Sequence, residues 1–256
     1  MNIGALTGYI DVAQIVLYVF WLFFAGLIFY LLRENKREGY PMIGDRPGRR
    51  PEGWPGVPTP KTFYLADGNT RQAPHPEPAE QVNAAPTDAW EGSSRQPIGN
   101  PMLAAIGPGS YAQHRPDVPD HTFDDALPKI VPLRTLPNFW LATEDPNPHG
   151  MQVFGADWVY AGRVVDSWID RSEVVIRYFE IELEDSGDHV LLPQTFAKIN
   201  NKTRQIKVHA ILGAQFKDVP RLQNAETITL LEEEKLVGYY AGGLLYATPA
   251  RLGPVL

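Results

Sequence analysis

The 256-residue chain contains no cysteine, which excludes disulfide staples, Cys-ligated zinc, iron–sulfur clusters and thiol catalysis. It has no basic excess either: 23 Lys and Arg stand against 30 Asp and Glu, a formal charge of −7. A general nucleic-acid binder would carry a basic domain, so that class is disfavoured. Catalytic signatures are missing as well. GPGS at Gly107–Ser110 lacks the strand–turn–helix context and the lysine of a phosphate loop. His75, His114, His121, His149, His189 and His209 form no HExxH and no i,i+4 pair, and no serine sits in a nucleophile elbow. A membrane-bound hydrolase therefore has neither nucleophile nor metal set to support it.

Charge is absent from one long stretch. Val12–Leu32 runs 21 residues without a charged side chain, and Gln14 is its one strongly polar residue. At 1.5 Å per residue this helix is about 31 Å long, which matches a hydrocarbon core of about 30 Å. A cleaved signal peptide fits poorly. No Lys or Arg precedes the run, the run exceeds an ordinary signal core, and no small-residue cleavage site follows. Asp11 is the only charge before the span, whereas Arg33, Lys36 and Arg37 follow it, so the C-terminal side is expected to be cytoplasmic. Tyr9 and Tyr30 fall at interfacial depths. The Gly4/Gly8 spacing lies outside the apolar run and carries no weight as a helix-packing motif.

Past the span the composition changes. Pro41–Pro119 holds 15 of the 24 prolines, and a residue that fixes φ and lacks an N–H excludes long helices and central strands there. Trp54, Phe63, Tyr64, Leu65, Trp90, Met102, Leu103 and Ile106 are interleaved with them, more apolar surface than a plain spacer needs. An extended segment ordered against another surface is expected, with a short strand at Thr62–Leu65. The last part reads as a compact β domain. Met151–Phe154, Val159–Ile169, Val174–Glu184, Val190–Leu192 and Gln205–Ala210 are short β-branched or alternating runs. Turn signals such as DRSE and EDSGD separate them, a spacing that predicts a small barrel or curled sheet. Leu231–Tyr246 begins as a helix with acidic residues in its first turn, and Gly242–Gly243 is expected to stop or break it.

Carboxylates are concentrated in two places. Asp117, Asp120, Asp124 and Asp125 gather with His121, and a second series runs from Asp166 to Asp188. The Glu184–Asp188 part reads as a solvated turn. Glu180, Glu182 and Glu184 alternate with Phe179, Ile181 and Leu183, so they share one strand face. Asp170 and Glu173 flank a tight turn with Arg171, and Arg177 follows. Carboxylates beside cations can differ in proton affinity as a relay requires, while solvated surface charge remains the simpler reading.

The motifs RENKREGYP (Arg33–Pro41), PKTFYL (Pro60–Leu65), GNPM and GPGSYA (within Gly99–Ala112), LPKIVPLR (Leu127–Arg134), DSWIDRSE (Asp166–Glu173), VPRLQ (Val219–Gln223) and TITLLEEEKLVGYYAGGLLYATP (Thr227–Pro249) occur in one order. In these, over nearly its whole length, the chain resembles the H subunit family of the purple-bacterial photosynthetic reaction centre. The resemblance implies a single N-terminal transmembrane helix, an extended Pro-rich segment and a mainly-β, PRC-barrel-like cytoplasmic domain with a short C-terminal helix. The expected division is 1–11 periplasmic, 12–32 transmembrane, 33–119 extended and 120–256 cytoplasmic, in the bacterial inner or chromatophore membrane.

By the same resemblance the chain is not an enzyme and binds no pigment. Bacteriochlorophyll, bacteriopheophytin and quinones belong to the L and M subunits that it caps. A cytochrome subunit, a light-harvesting 1 ring and membrane lipids complete the expected surroundings, without nucleic acid. The implied role is to stabilise the complex, shield the secondary quinone and supply acidic side chains to its proton route. Asp170, Glu173 and Arg177 fall on family positions of that route, and Lys129 matches a basic neighbour of its outer mouth. Where some members carry two His before this Lys, the chain reads DHTFDDALPK, which makes His121, Asp124 and Asp125 the candidates for proton collection. A tethered PRC-barrel adaptor without a role in electron transfer is the alternative.

Overall fold

The computed structural model describes residues 11–40, 53–66, 68–75, 82–90 and 92–252. Tyr9, the Gly4/Gly8 pair and the first twelve residues of the Pro-rich segment, 41–52, lie outside the described residues. The chain divides into two compact units, residues 1–80 with 88–94 and residues 81–87 with 95–256.

The first unit is built on helix α1, Val12–Arg37. Asp11 caps its start, accepting from the Gln14 amide at 2.7 Å. The helix is long and apolar enough to cross a membrane, with a mean hydropathy of 2.5 over its best window. Its apolar side chains are exposed all around, Leu22 at 75%, a surface that water does not tolerate without lipid or other helices. The helix continues past Leu32 through Arg33–Arg37, four good helix formers around Asn35, and its last turn favours cations. There Lys36 donates to the Gly53 carbonyl at 2.9 Å, and Arg37 donates to the Thr59 and Ala73 carbonyls at 2.6 and 2.9 Å. Glu34 pairs with both Arg37 and Lys61 at 2.9 Å. These contacts clasp a two-stranded hairpin, β1 (Lys61–Tyr64) and β2 (Thr70–Ala73), in the register Lys61 with Ala73.

The second unit opens with a small hairpin, β3 (Ala84–Pro86) with β4 (Arg95–Pro97). Its main sheet comprises β5 (Ile130–Pro132), β6 (Gln152–Phe154), β7 (Tyr160–Asp170), β8 (Val175–Leu183), β9 (His189–Pro193), β10 (Ala197–Asn200) and β11 (Gln205–Val208). The order is β10-β11-β6-β7-β8-β9, with β5 also paired to β7. Only the β11–β6 pair is parallel. The two ends of this path are consecutive strands joined by Gln194–Phe196 alone. Six flat strands would separate β9 from β10 by about 24 Å, and a three-residue connection reaches about 14 Å, so the sheet must curl. The five runs expected from sequence are strands within two residues of their expected ends. β5, bounded by Pro128 and Pro132, and β10, which leads straight into the Asn200–Asn201 turn, are strands the sequence reading did not expect.

Val153, Val164, Trp168, Phe179, Ile181, Leu192, Ile206 and Val208 fill the curl and are essentially inaccessible to water. Helix α2, Leu230–Tyr246, closes it with Leu236, Tyr239 and Tyr240. Thr229 and Glu232 cap that helix reciprocally, at 3.1 and 2.8 Å. The expected stop at Gly242–Gly243 is wrong: the helix runs through both. Those glycines permit close approach instead. A Cβ on Gly243 would lie 2.6 Å from the Ala210 carbonyl oxygen, and one on Gly242 3.2 Å from Gly109 Cα.

Candidate functional site: two carboxylate clusters beside the β7–β8 pair

Asp170 ends β7 and is 1% exposed. One carboxylate oxygen accepts from the Ser172 and Glu173 amides at 3.0 and 3.1 Å, which closes the turn between β7 and β8. The other lies 3.6 Å from Lys129 Nζ. Lys129 reaches Asp120 as well, at 3.8 Å, so one ammonium sits between two carboxylates. Position 129 is fixed because Ile130 pairs with Asp170 across β5 and β7. A polar cleft of about 320 Å³ opens here, lined by Asp120, Lys129, Asp170, Arg177, Tyr178 and Glu233, with Arg115 and Glu234 at its edge.

Glu233 was not singled out from the sequence. It belongs to the triplet Glu232–Glu234 at the start of α2, and the helix turn sends the three in different directions. Glu232 is buried as a cap and also accepts from the Gln223 amide at 2.6 Å. Glu234 pairs with Arg115 at 3.4 Å. Glu233 faces the cleft and accepts from the Tyr178 hydroxyl at 2.9 Å. Burial pushes its carboxyl above the ordinary range, and the hydrogen bond from Tyr178 and the charge of Arg177 only partly offset that. The positive end of α2 also favours an anion, yet desolvation is the larger effect.

Of the residues expected from sequence, Asp170 and Arg177 meet in the cleft with Lys129. Glu173 does not line it; it stands exposed on the adjoining turn that Asp170 caps. His121, Asp124 and Asp125 lie on a neighbouring loop. His121 and Asp124 are exposed, and the His121 backbone bridges to Pro128. Asp125 pairs with Arg171, accepts from the Thr122 hydroxyl and takes the Leu127 amide at 3.0 Å. The Arg171 guanidinium, then those hydrogen bonds, hold its carboxyl well below the usual range. Asp125 thus ties the 122–127 loop to the 171–174 turn as a fixed anion.

A second cluster lies along the same strand pair. A bulge between Val164 and Asp166 brings Asp166 opposite Glu180. Like charges facing across strands repel, and both residues are buried. Arg134 resolves this by donating to Asp166 at 2.9 Å and to Glu180 at 2.5 Å. Trp168 Nε1 adds a bond to Glu180 at 2.9 Å, and His189 Nδ1 lies 2.6 Å from its other oxygen. Burial would raise the Glu180 carboxyl, but His189, Arg134 and Trp168 outweigh it and hold it low. The strand face that carries Glu180, Glu182 and Glu184 thus meets three different environments. Glu180 is buried, Glu182 pairs with Arg163 at 2.7 Å, and Glu184 is exposed. His149 Nε2 approaches both Ser167 Oγ, at 3.2 Å, and Asp166, at 3.7 Å. A nucleophilic triad needs opposite ring nitrogens for these contacts, so this trio is not one.

Comparison with known families adds two matches. Residues 4–135 match the photosynthetic reaction centre, H-chain N-terminal region, and residues 144–215 match the PRC-barrel domain. The first spans just over half of the chain, and the second covers the curled sheet from before β6 to beyond β11.

Proposed function

Because the chain belongs to the photosynthetic reaction centre H-chain family, we propose that it caps the quinone face of a pigment-bearing L/M core and helps deliver protons to the secondary quinone. The family's H chain is a structural subunit rather than an enzyme and binds no pigment itself, so bacteriochlorophyll, bacteriopheophytin and quinones are assigned to the partner subunits. The helix anchors the chain in the membrane. Its flanking cations Arg33, Lys36 and Arg37 support a cytoplasmic β domain. Exposed Trp54, Tyr64, Trp90 and Ile98 support a Pro-rich segment laid against the core.

One observation carries the proton-delivery reading. Asp170, Lys129, Arg177 and a carboxyl of raised proton affinity, Glu233, converge in one open polar cleft beside the turn that bears Glu173. A quinone reduced twice takes up two protons. A relay to it needs groups that gain and lose protons near neutral pH together with cations that stabilise the anionic forms. In this reading Asp120 and Glu233 receive protons from the surface, and Asp170 and Glu173 pass them inward. Asp124 and His121 are the outer collectors. Asp125 is the anion that positions their loop.

Flash spectroscopy on the Glu173→Gln complex tests the reading. The amide keeps the shape and cannot carry the proton, so the second electron transfer should slow about tenfold, roughly 1.4 kcal/mol on its barrier. The first electron transfer should change much less. An unchanged second-electron rate from about pH 6 to 9 removes Glu173 from the route. Purification through this chain separates the proposal from a tethered adaptor: near-infrared pigment absorption in the complex supports it, and a pigment-free partner defeats it.

A further inference from the structure

The sequence from His189 to Lys217 contains no Asp or Glu, although the whole chain has 30. It carries Lys198, Lys202, Arg204, Lys207 and Lys217 instead. The β10–β11 hairpin concentrates these charges. Its register sets Lys198 directly opposite Lys207, a like-charge pair that costs stability rather than adding it. Among the described residues neither of these lysines nor Lys202 has a carboxylate partner. Lys129, Arg134, Arg163, Arg171 and Arg221 of the same unit all do.

The hairpin borders a groove of about 440 Å³ with Trp158 on its wall. Trp158 is 59% exposed and is held at a φ of 63°, a conformation that a bulky side chain rarely adopts. Lys207 Nζ lies 3.7 Å from its ring centroid. Lysines on an edge strand can serve simply to prevent strand pairing. That purpose does not call for an exposed indole beneath one of them.

We propose that this face, Trp158 with Lys198, Lys202 and Lys207, is a contact surface for anionic lipid headgroups. An amphipathic ring beside unpaired ammonium groups is the chemistry of the bilayer interface, where the ring meets the glycerol region and the lysines meet phosphates. The helix that anchors the chain keeps the domain at high local concentration near the bilayer, so a weak contact suffices. Local positive charge on a chain of net charge −7 also orients the domain, since the chain as a whole is repelled by the same lipids. The proposal does not rest on the proton-delivery reading.

The test uses the full chain in nanodiscs and follows amine labelling of Lys198, Lys202 and Lys207 by peptide mass spectrometry. Labelling should be about fivefold slower with about 30% phosphatidylglycerol than with phosphatidylcholine alone, at about 50 mM salt. At about 500 mM salt the difference should vanish, because surface charges are then screened. Equal labelling in the two lipids at low salt overturns the proposal and leaves the lysines as edge guards. Protection that appears only in the assembled complex, whatever the lipid charge, also overturns it and assigns the face to an acidic protein.

Discussion

Asp166 with Glu180, both buried, and Asp170 with Glu233, a buried and a half-buried acid lining one cleft, lie beside the same β7–β8 pair, yet their surroundings differ in kind. Glu180 accepts from Arg134, Trp168 and His189, so its charge is compensated and its proton affinity falls. Glu233 accepts from one neutral hydroxyl, so desolvation prevails and its proton affinity rises. A buried carboxylate held by three donors, one of them a guanidinium, belongs to the framework. One held by a single neutral donor in an open cleft holds its proton more tightly than an ordinary carboxylate and is placed to exchange it with the cleft.

Substitution of Arg134 should have the largest effect on this contrast. Arg134→Met leaves two buried carboxylates facing each other, a situation that costs about 3–5 kcal/mol when fully buried. The Arg134 side chain is 42% exposed, which reduces the expectation to about 2–3 kcal/mol. Tm should fall by about 5–10 °C. A loss smaller than about 1 kcal/mol would mean that the cluster is not the framework element described.

Glu180→Gln should cost less, about 1–3 kcal/mol at pH 7, the range for hydrogen bonds to a charged group. Because the folded-state proton affinity of Glu180 is lowered, its contribution is present above the usual carboxylate pKa. It disappears as pH falls through the folded value. Denaturation followed from pH 7 downwards should therefore show a gap between wild type and variant that narrows in acid. A gap independent of pH would assign the effect to packing instead.

Glu233→Gln sharpens the comparison from the other side. Its raised proton affinity means that ionising Glu233 disfavours the folded state as pH rises above the ordinary carboxylate value. The variant should be no less stable than wild type at pH 8, whereas flash-induced proton uptake should slow by about threefold or more. Lost stability with unchanged uptake would move Glu233 into the framework class. The smallest effect is expected for Asp125→Asn. Arg171 keeps that carboxylate ionised, so uptake should stay within about twofold of wild type across neutral pH. A larger loss would make Asp125 a relay group after all.

The physics of solvent transfer and chain stiffness acts locally, and those features were legible in order. Val12–Leu32 announces a membrane-spanning helix because no charge interrupts it, and the prolines of 41–119 forbid long regular elements whatever their neighbours. The strand runs of the β domain alternate strongly enough to be placed within two residues. The turn carrying Asp170 and Glu173 was readable for the same reason. What the residues then touch was not. Glu232, Glu233 and Glu234 are identical in type and adjacent, and only the helix rotation against β8 makes one a cap, one a cleft acid and one a surface ion-pair partner. In sequence Glu180 is one of three like acids on a strand face, and a one-residue bulge and an arginine 46 positions away are what bury it. Gly242 and Gly243 looked like a helix end because glycine weakens an isolated helix. In the fold they are where the chain passes close enough that a methyl group would collide. Local energies decide which elements form. Desolvation and contact decide what their charges do, and both depend on neighbours that only the folded chain brings together.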